Sequence, residues 1–431
     1  MMSRETFSKD KIVGLDVTLV ENKTIVLPFT QENYSDILED RHAYQSFLQE
    51  QMAAHPELFP EKISAGWSFY GFTSPSQKQG LQMRRIQTHA DKQVWQIRPS
   101  FVMPYMTCDT QTADDILFLA KWAPDWAIAR VFKKDVMTIY RLRTHPGRYN
   151  IVGATVKDAQ QLPTDLGADE KHSRISGEKV YLATTVAQQC FLGVSVSTGA
   201  GEEELTEAYR QFQHEVHQVQ PDYQPETVNT DGWKATRNAW QTLFPAICII
   251  QCFLHALLSI RNVATTAMKA LYAEIAEHAW QVYRASSKRS FAQRLRRLQE
   301  WGEKLAESPL RTKLLKLCGK KAGFVVAYDF PQCLRTSNMI DRLMQGMDKY
   351  LCAKQYFHGS LASAQYGVRA YCLLSNFRPY AYNPIAGYKN RDIHSAFEQL
   401  NGFTYHECWL QNMLIATSRQ EIYRFQQKKL G

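Results

Sequence analysis

Three aspartates have the residue type and the setting that metal-assisted phosphate chemistry requires. Asp169 lies in the segment ADEKH, Asp231 in NTDGW and Asp341 in TSNMIDRL. The first two lie in or at the end of predicted strands, and the third lies in the first turn of a predicted helix. Two cations about 3.5–4 Å apart, held by shared carboxylates, activate an attacking oxygen and stabilise a leaving oxygen at phosphorus. Mg²⁺ suits such a site because it binds a few carboxylates and keeps its other positions for water and phosphate.

Each aspartate also has a structural interpretation that the sequence leaves open. Glu170 alternates with Asp169 along a regular strand and faces the other side of the sheet, so Asp169 is taken as the ligand and Glu170 as the fallback. Asp231 precedes a predicted helix and could be its N-cap. Asp341 lies three residues after Asn338, which is a relaxed capping box at the positive end of a helix dipole. Capping leaves a second carboxylate oxygen free to bind a metal.

The elements around these aspartates predict an α/β fold. Hydrophobic periodicity and turn residues predict three strands in hairpins, followed by helix, strand, helix and strand. This is the order of an RNase H-like fold, in which the sheet is mixed and the first strand lies centrally beside the fourth. The predicted ranges are 166–174, 180–187 and 191–198 for the three strands, then 202–219, 226–231, 233–243 and 246–252.

A helix-turn-helix-like DNA-binding segment is predicted at 111–160, after a mixed α/β region (1–110) of unknown role. Its helices are predicted at 114–122, 125–132 and 135–143, with the third as recognition helix. An ordinary three-helix unit with solvated charges is the alternative. Four apolar residues would pack inward: Ile128, Val131, Val136 and Ile139. Phosphate contacts are predicted for Lys133, Lys134, Arg141 and Arg143, and base contacts for Thr138 or Tyr140.

A basic, all-helical insertion is predicted at 256–335. Between Arg284 and Lys321 there are twelve Lys and Arg residues against three Glu. Apolar residues alternate with arginines at helical spacing, which indicates an amphipathic helix with a cationic outer face. Arg294, Arg296 and Arg297 are the predicted phosphate contacts there. The aromatic-rich tail, 376–431, would pack on the core or stack on DNA bases.

Composition favours a globular protein with a polyanionic partner. The 431 residues are 45% hydrophobic and carry a net charge of +9. No segment is apolar for the roughly 18–20 residues that cross a bilayer, and the first residues lack the apolar region of a secretory signal. Nine cysteines are dispersed without a C-x-x-C pair, which argues against structural zinc and favours a reducing cytoplasm.

Taken together, these motifs resemble the DDE/D transposases of prokaryotic insertion sequences, in particular the Mutator-like group. The resemblance covers roughly 165–355 and includes a C-x-x-H pair, Cys252 and His255, one strand after Asp231. It implies an RNase H-like catalytic core formed by 161–255 and 336–375. The final acid of that group is usually Glu, whereas this chain has Asp341, so Asp329 and Glu300 remain candidates for the third ligand.

The resemblance implies a DNA transposase that cuts at the element ends and joins the 3′-hydroxyl to target DNA. Asp169, Asp231 and Asp341 would hold two Mg²⁺ ions, with Mn²⁺ as a substitute. The implied partners are terminal inverted repeats and target DNA, bound by a homo-oligomer in a prokaryotic cytoplasm at the nucleoid.

Lys171, His172 and His255 are candidate phosphate contacts. Cys252 and His255 would position the site or contact DNA, with simple packing of Cys252 as the alternative. A catalytically inactive, transposon-derived DNA-binding protein and a stand-alone RNase H-like nuclease are the other candidate functions.

Overall fold

A computed structural model describes residues 15–76, 80–380 and 395–427. The protein is mixed α/β, with a four-stranded sheet, a five-stranded sheet and a two-stranded ribbon. No helix in these three ranges is long and apolar enough to cross a membrane. The five-stranded sheet lies between two layers of helices and positions the candidate site.

The first part of the chain forms the four-stranded sheet and two helices that pack on it. The sheet order is β2-β5-β4-β3, with β2 parallel to β5 and the other pairs antiparallel. Asp40 separates the two helices because its carboxylate accepts the His42 and Ala43 amides and caps the second helix. The elements are β1 (Leu15–Val20), β2 (Thr24–Leu27), α1 (Tyr34–Glu39), α2 (Arg41–Ala54), β3 (Trp67–Phe72), β4 (Arg84–Thr88) and β5 (Val94–Pro99).

Short helices follow, close to the positions that the sequence predicts. Asp135 caps the third of them by accepting the Met137 amide at 2.8 Å. Lys133 ends the second in the left-handed region, at φ 52°. The helices are α3 (Thr110–Leu119), α4 (Asp125–Phe132), α5 (Val136–Thr144) and α6 (Ile151–Thr155).

The five-stranded sheet has the strand arrangement that the sequence predicts. Its order is β10-β9-β6-β7-β8, so the first of its strands in the chain lies centrally beside the fourth. β6 is antiparallel to β7 and parallel to β9, which makes the sheet mixed. The elements are β6 (Asp165–Ile175), β7 (Glu178–Ala187), β8 (Cys190–Ser197), α7 (Glu202–Val219), β9 (Thr227–Thr230), α8 (Lys234–Leu243) and β10 (Cys248–Gln251).

The predicted insertion is helical and has its own hydrophobic core. Phe253, Phe291, Leu314 and Phe324 are among the buried residues of that core. The cationic side chains of its longest helix lie outside, because the apolar residues recur at helical spacing on one face. The helices are α9 (Phe253–Arg261), α10 (Lys269–Tyr283), α11 (Lys288–Glu303), α12 (Pro309–Gly319) and α13 (Lys321–Val325).

The last part of the chain returns to both sheets. Two long helices pack on the five-stranded sheet, and two short ones join the core of the N-terminal sheet, where Phe397 and Trp409 are buried. The aromatic tail therefore packs on the core within its described residues. A final strand pairs with β1. The elements are α14 (Asn338–Ala353), α15 (Leu361–Phe377), α16 (Ala396–Asn401), α17 (Trp409–Ala416) and β11 (Ile422–Gln427).

Alternation along β6 decides which side chains meet which layer of helices. Leu166 and Ala168 belong to the core formed with α7 and α8. Gly167 faces the other layer, where Ile340 of α14 lies directly against it. Side chains at Asp169 and Lys171 share that face, because successive residues of a strand point to opposite sides.

Candidate metal centre

Asp169 lies on β6, on the sheet face that α14 covers. Its Oδ1 accepts a hydrogen bond from the Glu170 amide at 2.9 Å. Burial raises the pKa of the Asp169 carboxyl to about 6, and the nearby carboxylates of Asp231 and Asp341 raise it further, while His255 acts in the opposite sense. Mutual repulsion among these carboxylates favours a cation between them.

Asp341 reaches Asp169 because α14 approaches the sheet closely. A Cβ on Gly167 would lie 2.7 Å from Cδ1 of Ile340, so a larger residue there would force the Ile340 side chain or α14 to shift. Asp341 is in the first turn of α14, where Ser337 Oγ donates a hydrogen bond to its Oδ2 at 2.9 Å. The sequence analysis did not single out Gly167 or Ser337, since neither has a chemical signature of its own.

Cys252 connects the C-x-x-H pair to Asp341. Its sulfur caps α9 by accepting the His255 amide at 3.4 Å, and it accepts the Ser337 amide at 3.2 Å. Its thiol donates to Ser337 Oγ at 3.4 Å, and that hydroxyl donates in turn to Asp341. Burial raises the pKa of Cys252, but hydrogen bonds with His255 and Ser337 outweigh it and hold the pKa below its usual value.

His255 completes the group from the first turn of α9. The Cys252 side chain is the largest influence that raises the pKa of His255 to about 9; burial opposes it, and Asp169 and Asp231 add to the rise. Its Nδ1 is buried and has no hydrogen-bond partner among the described residues. A buried, unpartnered ring nitrogen beside carboxylates is the arrangement that a metal ion or a phosphate oxygen would satisfy.

Asp169, His255 and Asp341 converge on one point. One carboxylate oxygen of each aspartate and one ring nitrogen of His255 all lie within 4.8 Å of one another. Two carboxylates and an imidazole are a donor set that divalent metals accept. The described part of the chain therefore contains a candidate metal centre formed by a strand and two helices.

No protein-family model matches the chain, and no curated protein is significantly similar to it. The chemistry of the site is therefore argued from its residues.

Asp231 lies beside this group rather than within it. It follows β9, and its Oδ1 accepts the Trp233 amide at 2.7 Å in the turn before α8; the N-cap residue of α8 is Trp233, so the capping interpretation of Asp231 is wrong. Gly232 follows in a turn with φ 91°. The charge of Asp231 nevertheless acts on Asp169 and His255, because it raises the pKa of both. Asp169, Asp231 and Asp341 thus lie in one region of the protein. The group that could hold a metal ion is formed by Asp169, Asp341 and His255, and Asp231 is not part of it.

Glu170 points away from the site, as strand alternation predicts. Its Oε1 accepts hydrogen bonds from Tyr209 Oη and Thr236 Oγ1, both at 2.7 Å. Burial between α7 and α8 raises the pKa of Glu170 to about 7. The fallback ligand is therefore wrong, because the side chain is buried on the opposite face of the sheet.

The other two candidate acids lie on the insertion and pair with neighbouring cations. Asp329 is 2.8 Å from Lys288, and Glu300 is 3.1 Å from Arg296 on the same helix. Asp341, and neither of these acids, is grouped with Asp169.

A polar pocket opens beside the metal centre. Its volume is about 350 Å³, and Asp169, His255 and Asp341 line it. Lys171 lines it too and is held by Asp348 of α14 at 2.6 Å. His172 is exposed and its ring contacts Tyr181. The three predicted phosphate contacts thus lie along one edge of this pocket.

The helix-turn-helix prediction needs three corrections. Arg143 is 4% exposed and pairs with Asp125 at 2.6 Å, so it cannot face phosphates. Val131 and Val136 are exposed, because α4 and α5 bury Ile128 and Ile139 through a narrower face than predicted. The remaining predicted DNA contacts stay untested: Lys133, Lys134 and Arg141 are exposed, and Thr138 and Tyr140 are half-buried.

The three arginines predicted to contact DNA on α11 are all exposed. Arg294 donates to the Gln281 carbonyl at 2.7 Å, and Arg296 pairs with Glu300. Their positions on the outer face agree with a solvated helix as well as with a phosphate-facing one.

Proposed function

We propose that the protein is a metal-dependent enzyme that cuts DNA and joins DNA ends, a transposase of the DDE/D type. One observation carries this proposal: Asp169 and Asp341, far apart in the chain, meet with His255 within metal-binding distance. An inactive descendant that binds DNA would have no need to keep acidic groups together in this way.

The strand order supports an RNase H-like core. In such a core the first strand lies centrally, and its carboxylate faces one on a later helix. Here β6 carries Asp169 at the centre of the five-stranded sheet, and α14 carries Asp341 across its face. The β9 end adds Asp231, in the region where open α/β sheets place their active-site groups.

The donor set fits a divalent cation. Asp169 and Asp341 would hold it, and Asp231 is the carboxylate available to a second ion. Bound cations would supply activation of the attacking oxygen and stabilisation of the leaving oxygen. Mg²⁺ prefers oxygen ligands, whereas Mn²⁺ also accepts imidazole, so we propose that both ions support activity and that Mn²⁺ binds more tightly.

The remaining groups position the acids and the phosphate. Ser337 fixes the rotamer of Asp341 by hydrogen bonding to one oxygen and leaves the other free. His255 would bind the cation as a neutral imidazole, because the ring must release its extra proton before a nitrogen can bind a metal. Lys171 approaches the same pocket from β6. In this proposal no side chain is the nucleophile.

The experiment is a joining assay with the full-length chain. Duplexes ending in the DNA that flanks the gene are incubated with a supercoiled plasmid and Mg²⁺ or Mn²⁺. The proposal expects metal-dependent transfer of the 3′-hydroxyl strand into the plasmid, and its loss in Asp169→Asn and Asp341→Asn. Cutting without joining would instead indicate a stand-alone nuclease. DNA binding without either reaction would indicate an inactive derivative, and equal activity in the Asn variants would disprove the site.

Assembly as a homo-oligomer on terminal repeats and target DNA is part of the same proposal.

A further inference from the structure

The helical insertion meets the loop that carries Asp231 through α13. α13 packs on β10, and Gln251 at the end of β10 lies between two glycines. A Cβ on Gly323 of α13 would lie 2.7 Å from Oε1 of Gln251, and one on Gly232 would lie 2.6 Å from its Nε2. Gly232 directly follows Asp231. This contact fixes the start of α13 beside the loop that carries Asp231.

Lys320 lies next to this contact. It follows the last residue of α12, and its carbonyl accepts the Gly323 amide at 3.0 Å. Lys313 and Lys316 precede it at spacings of seven and four residues, which places the three lysines along one side of α12. The neighbouring side of the helix buries Leu310, Leu314 and Leu317 in the insertion core.

Arg237 of α8 is six residues after Asp231 and close enough to Lys320 to lower its pKa. We call Arg237, Lys313, Lys316 and Lys320 the lysine cluster. None of the four forms an ion pair with another residue in the described parts of the chain. Burial lowers the pKa of Lys320, and its neighbours Lys316, Lys313 and Arg237 lower it further, while Asp231 acts in the opposite sense.

Four cations without an ion pair beside a single carboxylate carry an excess of positive charge, which favours an anionic ligand. Seven residues of helix between Lys313 and Lys320 span about 10 Å. A nucleic acid strand advances about 3.4 Å per nucleotide, so this length matches about three nucleotides rather than one isolated phosphate. The cluster adjoins the Asp231 side of the metal centre, whereas Lys171 lies on the α14 side.

We infer that the lysine cluster binds the sugar-phosphate backbone of the DNA strand where it leaves the metal centre on the β10 side. The inference rests on the proposed function, because it takes DNA as the substrate. It assigns a binding role to α12, to Lys320 directly after it and to Arg237 of α8, through residues that the sequence analysis did not select. A strand bound there and at Lys171 would cross the carboxylates between the two contacts.

The test compares the salt dependence of DNA binding. Fluorescence anisotropy of a labelled duplex is measured against NaCl concentration for the full chain and for the triple variant Lys313→Gln, Lys316→Gln, Lys320→Gln. Each lost phosphate contact reduces the slope of log K against log salt by about 0.9, so the triple variant is expected to lose about 2–3 units of slope. Affinity at about 0.1 M salt is expected to fall tenfold or more.

A second triple variant of equal charge is the matched control. Arg284→Gln, Arg289→Gln and Lys304→Gln neutralise three exposed cations elsewhere on the insertion. The inference expects a smaller loss of slope from this control than from the cluster variant. Equal losses would overturn it, because binding would then depend on overall charge alone.

Two further measurements separate this inference from the proposed function. Mn²⁺ binding should be retained in the cluster variant, which shows that its fold and metal centre are intact. Arg237→Gln, on a different helix, should alone reduce the slope by about one unit. Suppose that the unmodified chain joins DNA, and that the triple lysine variant and Arg237→Gln both bind DNA with the same salt-dependence slope as the unmodified chain. The inference then fails and the proposed function stands. If the unmodified chain binds DNA with a cluster-dependent slope but never cuts it, the proposed function fails and the inference stands.

Discussion

At the scale of single residues, Cys252 has a defined structural role. It caps α9 through the His255 amide and reaches Asp341 through Ser337. This arrangement links the cysteine and histidine, three residues apart, to Asp341 through hydrogen bonds. The sulfur holds one ligand-bearing helix against the start of another.

Replacing Cys252 tests this role. Cys252→Ala removes the hydrogen bond to Ser337 and leaves Asp341 less constrained, so Mn²⁺ affinity should fall roughly three- to tenfold, the equivalent of about one hydrogen bond. Cys252→Ser should restore part of the affinity because a hydroxyl can donate and accept in the same place. Titration calorimetry gives the affinities.

A buried cysteine away from the site provides the control for that change. Cys372 is fully buried in α15. Cys372→Ala should lower the free energy of unfolding while leaving Mn²⁺ affinity unchanged. If both cysteine variants bind Mn²⁺ as the unmodified chain does, Cys252 only fills space.

At the scale of elements, the approach of α14 to β6 determines whether the acids meet. Gly167→Ala places a methyl group 2.7 Å from Cδ1 of Ile340, and we expect this crowding to push α14 outward. The change should cost about 1–3 kcal/mol of stability by overpacking and should weaken Mn²⁺ binding, because Asp341 moves with the helix. Urea unfolding and calorimetry measure the two effects.

Gly319 is the matched position, since a Cβ there would meet nothing within 4 Å. Gly319→Ala should keep both stability and metal affinity. Unchanged Mn²⁺ affinity in Gly167→Ala would mean that the distance between α14 and β6 does not control the site.

The sequence predicted elements better than contacts. The helix at 202–219 and the strands of the central sheet were predicted closely, because amphipathic periodicity and turns are local properties. Arg143 was wrongly predicted to face DNA because its partner, Asp125, lies on a different helix and spacing does not reveal the pair. His255 was associated with the acids only through a resemblance, since no local pattern places the start of α9 beside the start of α14.

At the scale of the whole molecule, a buried ion pair joins several parts of the chain. Glu215 of α7 and Arg369 of α15 are 2.6 Å apart, and both side chains are fully buried. Glu215 also accepts the Ile151 amide of α6, and Arg369 donates to the carbonyls of Gly147 and Tyr149. The pair therefore links both helix layers of the central sheet to the segment that follows α5.

Breaking this pair should destabilise the whole protein. Arg369→Met leaves a buried carboxylate without its counter-charge, which typically costs about 3–5 kcal/mol. Urea unfolding of this variant should show that loss. The exposed pair Arg210 and Glu207 is the comparison, and Arg210→Met should change stability by less than about 1 kcal/mol. Similar losses in the two variants would contradict the structural role of the buried pair.

Stability should also depend on pH through His145. Burial lowers the pKa of His145 to about 3, and the nearby Arg148 and Arg98 lower it further. The unfolded chain takes up the proton near the ordinary value of 6.5 while the folded protein does not, so stability falls as the pH falls below 6.5. Between pH 7 and pH 5 the loss from this residue is about 2 kcal/mol.

Comparison with His145→Gln isolates that contribution. The variant should lose about 2 kcal/mol less than the unmodified chain over the same pH interval, measured by urea unfolding at both pH values. Identical pH dependence in the two proteins would show that His145 titrates normally in the folded state.

Direct titration with Mn²⁺ tests the metal centre. Calorimetry is performed on the full chain, on Asp169→Asn, on Asp341→Asn and on the double variant. The account predicts binding by the unmodified chain and a loss of at least tenfold in each single variant. The double variant should lose much less than the product of the two single losses, because both acids hold the same ion. Binding that survives both substitutions, or no binding by the unmodified chain, would contradict it.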